Sequence, residues 1–134
     1  MPEMNRQVRQ DARFDEPDSE LDRHASDVIQ ACIEVHRVLG PGYLESIYER
    51  ALAVELGHRG IEFERQVPID LYYRSQPIGE HRLDFLVRNC LVVELKAVET
   101  LRSYLKARDE RLGLLINFNV PLLLKGVRRI IWTP

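Results

Sequence analysis

Asp84, Glu94 and Lys96 are the residues of this chain whose types and spacing best suit chemistry. They lie in a stretch, residues 83–97, that reads as two apolar strands around a tight turn at Arg88-Asn89-Cys90. A turn centred on Asn89 sets Val87 opposite Leu91 and Asp84 opposite Glu94. Lys96 falls two residues further along, on the same face as Glu94. Directly opposed carboxylates repel and weaken a sheet. A divalent cation between them reverses the sign of that interaction, and hard cations such as magnesium choose oxygen ligands. The flanks Leu91-Val92-Val93 and Leu95 indicate a strand buried on both faces. A charged pair is costly there unless it is paired or coordinated. On spacing alone a solvated pair on an open hairpin face stands beside the metal site as a second reading.

The elements that must position these residues can be read from periodicity. Residues 1–19 are charged and poor in apolar side chains, which predicts a flexible arm ahead of a single domain over 20–134. Leu21, Ala25, Val28, Ile29, Cys32, Ile33, Val35 and Leu39 recur at helical spacing, and Gly40-Pro41 stops that helix. His36 on its apolar side reads as a satisfied boundary histidine. A second helix, about 43–59, carries Leu44, Ile47, Tyr48, Ala51, Leu52 and Leu56; Glu45 near its start suits the helix dipole. Strands are expected over 63–73, 78–87, 112–118 and 127–132, with Pro68 placing the first at an edge or a bulge. On the 78–87 strand, alternation assigns Glu80, Arg82, Asp84 and Leu86 to one face and His81, Leu83, Phe85 and Val87 to the other. A helix over 98–108 joins the strand of Glu94 to the strand at Leu112, which suits a parallel pairing in a mixed sheet.

Composition narrows the function classes. Two cysteines form no disulfide framework and no metal-ligand spacing, which predicts a reducing, cytoplasmic setting. No apolar run reaches membrane-spanning length. Residues 1–80 carry nine Arg and Lys against sixteen Asp and Glu, and residues 81–134 carry ten against five. The basic residues after the hairpin, Arg102, Lys106, Arg108, Arg111, Lys125, Arg128 and Arg129, either face phosphates or simply solvate a helix and an edge strand.

Gly42-Tyr43-Leu44-Glu45-Ser46-Ile47-Tyr48 fits the motif Gly-x-x-Glu-x-x-Tyr. With Glu34-Val35-His36, Leu39-Gly40-Pro41-Gly42, the spacing from Asp84 to Glu94-Leu95-Lys96, and Leu114-Leu115-Ile116-Asn117-Phe118, the chain resembles the GxxExxY protein family. That family is a branch of the PD-(D/E)xK nuclease superfamily. The resemblance runs from about Ala25 to Trp132. It implies an α/β (α+β) fold, a restriction-endonuclease-like mixed β-sheet flanked by helices. It further implies Asp84 and Glu94 as ligands of Mg2+ or Mn2+, with the Leu95 carbonyl as a third ligand. Lys96 would orient or activate the attacking water, and Glu45 would project into the same site from its helix. Tyr48, Arg82 and Tyr104 are the expected substrate contacts.

The activity implied is metal-dependent hydrolysis of nucleic acid phosphodiester bonds, with DNA the expected substrate and no membrane partner. The chain departs from the family pattern after Lys96. Thr100 stands where a glutamine belongs four residues before Tyr104, and about eight residues ahead of it are missing. The helix beside the site should be about two turns shorter at ~1.5 Å per residue. A second subunit could supply that wall, so a homodimer is among the expected partners. The alternative function is a catalytically inactive nuclease-fold domain that binds nucleic acid or protein.

Overall fold

The computed structural model describes residues 19–95, 101, 105, 106 and 109–133. The expected arm therefore lies outside the described residues except for Ser19, which already belongs to a helix. So do Lys96, Thr100, Tyr104 and most of the expected helix over 98–108.

Helix α1 spans Ser19–Leu39 and helix α2 spans Glu45–His58. Five strands follow: β1 (Phe63–Tyr73), β2 (Gln76–Val87), β3 (Leu91–Leu95), β4 (Leu112–Ile116) and β5 (Val127–Ile131). They form one sheet in the order β1-β2-β3-β4-β5. Only β3 and β4 run parallel; the other neighbours are antiparallel. This is the mixed sheet flanked by helices that the sequence implies. The edge position of β1 accommodates Pro68, whose missing N–H would break a ladder in a central strand.

The turn between β2 and β3 follows the spacing. Arg88 and Asn89 both adopt left-handed φ, 51° and 57°, and Cys90 N–H donates to the Val87 carbonyl at 3.1 Å. Successive left-handed residues match the twist of the strands they join. The register pairs Val87 with Leu91, Leu86 with Val92 and Phe85 with Val93.

The sheet separates two cores. On one side Val28, Cys32, Leu52 and Leu56 of the helices pack with Phe85, Val87, Val93 and Leu114. On the other, Leu83, Leu86, Val92 and Leu115 pack with Leu101 and Leu105. Gly113 makes the second contact fit. A Cβ there would lie 2.7 Å from a Leu101 methyl and 3.2 Å from a Leu105 methyl.

One expectation is overturned here. Leu83 does not share a core with Phe85 and Val87; it packs with Leu86. The cause lies in the neighbouring strand. Gln66 adopts φ 52°, and between the pairs Arg65–Phe85 and Val67–Leu83 the sheet changes face without losing register. Phe63 packs with the helical core, whereas Val67, Ile69 and Leu71 pack with the other. The switch falls at Asp84.

Candidate metal centre

One further step along the β2–β3 register opposes Asp84 to Glu94. Here each side chain accepts a backbone hydrogen bond from the opposite strand. Asp84 N–H donates to Glu94 Oε1 at 3.2 Å, and Leu95 N–H donates to Asp84 Oδ2 at 2.8 Å. Each carboxylate thus has one oxygen tied to the backbone across the ladder.

Glu94 is 5 % exposed and is the buried charged residue of the described core. Burial, the hydrogen bond to Asp84 and the charge of Asp84 push its carboxyl up to about 9, against the Asp84 N–H that favours the anion. Glu45 raises it further. The shift favours the protonated form of the Glu94 carboxyl at neutral pH.

The approach of Glu45 is set by the turn between α1 and α2. Gly40 and Gly42 take φ 68° and 112°, conformations that glycine adopts without a Cβ clash. Tyr48 is buried, and its hydroxyl donates to the Gly40 carbonyl at 2.6 Å while accepting from Tyr43 N–H at 3.1 Å. Its ring stacks on Phe118, centroids 4.7 Å apart. Asn119 Oδ1 accepts from Gly42 N–H at 2.8 Å, and His36 Nε2 meets the Val120 carbonyl at 2.7 Å. Glu45 starts α2 from this braced turn and lines a narrow crevice with Tyr48, Leu95, Ile116, Asn117, Phe118 and Asn119.

Asp84, Glu94 and Leu95 thus meet across the β2–β3 ladder, while Glu45 shares a crevice with Leu95 and acts on Glu94 through its charge. Tyr48 has its hydroxyl engaged by the backbone, the position of a brace rather than of a substrate contact. Arg82 is exposed, and its guanidinium meets the Gln66 carbonyl at 3.3 Å and Glu80 at 3.5 Å. The expected basic face is partly tied up: Arg129 pairs with Asp22, and Arg111 Nε donates to the Trp132 carbonyl. Sequence reasoning missed Asn119 and Gln66. Both act over long chain separations and carry no local signal.

A family model, that of the PD-(D/E)XK nuclease superfamily, matches residues 22–130. The chain belongs to the PD-(D/E)XK nuclease superfamily. Its five-stranded mixed sheet with flanking helices is the restriction-endonuclease-like fold of that group, and a nuclease-like function follows from membership. Comparison with curated proteins finds no match, nor does comparison with solved structures. No helix among the described residues is long and apolar enough to cross a membrane.

Nucleases of this superfamily typically depend on a divalent metal, and the donor set fits one. Two carboxylates, each pinned through one oxygen, offer hard oxygen donors that a cation could take in place of the shared proton. Among the described residues no three His, Cys, Asp or Glu side chains gather to hold an ion.

Proposed function

We propose that this chain is a Mg2+- or Mn2+-dependent nuclease of the GxxExxY branch that hydrolyses phosphodiester bonds in nucleic acid, with DNA the expected substrate. The observation that carries the reading is the opposed pair Asp84–Glu94, in which Glu94 is buried, Asp84 is half-buried and each has one oxygen tied to the backbone across the ladder. Opposed acids in a sheet interior work against folding unless something positive replaces the proton between them.

Asp84, Glu94 and the Leu95 carbonyl are the proposed ligands. When bound, the ion neutralises charge at phosphorus and lowers the pKa of a water nucleophile. Glu45, within electrostatic reach of Glu94, is placed to hold a proton or orient that water from the head of α2. Lys96, which lies outside the described residues, is assigned the positive charge that orients the water and offsets the developing negative charge. The water oxygen bonds to phosphorus, the bond to the leaving oxygen breaks, and that oxygen takes up a proton. Arg82 is proposed to contact the phosphate backbone at the site's exposed rim, and Tyr104 to contact substrate as in the family pattern.

The test is cleavage of linear and circular DNA and RNA with Mg2+ or Mn2+, wild type beside Glu94→Ala. Metal-dependent cleavage by the wild type alone supports the reading. Equal cleavage by both proteins, or none together with a melting temperature indifferent to metal, overturns it. The second of these results would leave a binding module on a nuclease fold.

A further inference from the structure

Gln66 occupies a backbone conformation that its residue type disfavours. It sits inside the 11-residue strand β1 with φ 52°. A left-handed backbone sets the Cβ of a non-glycine residue against its neighbouring carbonyl, and no chain reversal requires it here. The same register continues on either side, from Arg65–Phe85 to Val67–Leu83. Such residues collect where local geometry serves a site.

The conformation places the amide of Gln66 between two acids. Its Nε2 donates to Glu49 Oε2 at 2.9 Å and, over a longer 3.5 Å, to Asp84 Oδ1. A neutral amide carries two N–H donors, so it can bond both carboxylates without adding charge. Glu49 is itself held by Arg65 Nη2 at 3.1 Å, and its side chain is only 14 % exposed. Glu49 follows Glu45 by one helical turn, so α2 reaches the acidic pair twice. The charge of Glu45 bears on Glu94, and Glu49 reaches Asp84 through Gln66.

We propose that Gln66 is a positioning residue for Asp84. Asp84 Oδ2 is fixed by Leu95 N–H; the amide of Gln66, anchored on Glu49, aims the remaining oxygen, Oδ1, at the cation position. This rests on the metal-site reading above and adds to it a partner outside the ligand set.

The experiment is calorimetric titration of the full chain with Mn2+, wild type beside Gln66→Gly and Glu49→Ala, with metal-free melting curves. Glycine accepts the left-handed φ and keeps the carbonyl that Arg82 uses, so it removes only the amide. Gln66→Gly should melt at or above the wild-type temperature yet bind Mn2+ about tenfold more weakly, the lower end of the range for partners of metal ligands. Half-maximal cleavage should need correspondingly more Mn2+, with KM for DNA at saturating Mn2+ unchanged. Glu49→Ala should weaken Mn2+ binding in the same direction. Wild-type affinity in Gln66→Gly overturns the inference, as does a lower melting temperature with a raised KM, the mark of a purely structural role. No Mn2+ binding by the wild type removes the metal reading itself, and the inference with it.

Discussion

Asp70 faces Glu80 across β1 and β2, much as Asp84 faces Glu94 across β2 and β3, yet the first pair stands in water whereas in the second Glu94 is buried and Asp84 half-buried. In the outer pair Glu80 finds Arg82 at 3.5 Å, and both acids are exposed. In the inner pair Glu94 accepts from Asp84 N–H and Asp84 from Leu95 N–H, and the Glu94 carboxyl is lifted to about 9. Residue type and cross-strand placement are thus alike in the two cases. What separates them is burial, produced by the helices on one side and by Leu101 and Leu105 on the other. Opposed carboxylates do not by themselves mark a metal site; the burial of Glu94 is what sets this pair apart.

The largest effect expected from this contrast is at Glu94. Glu94→Gln keeps the shape and removes the charge, and cleavage at saturating Mg2+ should fall at least about 10³-fold, since the ion supplies several kcal/mol of transition-state stabilisation. The same variant sharpens the contrast without metal. From about pH 4.3, the ordinary glutamate value, up to about 9, the folded chain keeps a proton on Glu94 that the unfolded chain has released. Metal-free wild type should therefore lose stability as pH rises through that window. Glu94→Gln should be the more stable protein there, by a margin that grows toward pH 9. Melting curves at several pH values in chelator read this directly.

Next in size is the packing that keeps the inner pair dry. Gly113→Val drives a side chain into Leu101 and Leu105 and should cost about 1–3 kcal/mol of stability by denaturant titration. Tyr48→Phe leaves the part-buried Gly40 carbonyl and Tyr43 N–H without their partner, at a cost of about 0.5–1.5 kcal/mol. The smallest effect should be in the outer pair. Asp70→Asn and Glu80→Gln should each change stability by no more than about 0.5 kcal/mol and leave cleavage untouched. A loss of cleavage in either would break the comparison.

Much of this arrangement was legible from the residues. Asn89 and the alternation around it set the β2–β3 register, because a short turn leaves a hairpin little freedom to slip. Pro68 placed β1 at an edge, and Gly40-Pro41 ended α1. The face change at Asp84 was not legible, because it depends on a left-handed glutamine and no local pattern announces that conformation. Nor was the role of Tyr48, whose position in the motif suggested substrate; its partners Gly40 and Tyr43 become visible only when the turn is built. Asn119 and Phe118 brace that turn from 77 and 70 residues away, beyond any periodicity.

The measurement that bears most directly on the account is proton release on metal binding, by calorimetric titration of Mn2+ at pH 7.5 in buffers of different ionisation enthalpy. If a cation takes the place of the proton shared by Asp84 and Glu94, the wild type should release about one proton per ion bound, and Glu94→Gln should neither bind comparably nor release one. Binding without proton release, or equal binding by both proteins, would contradict it.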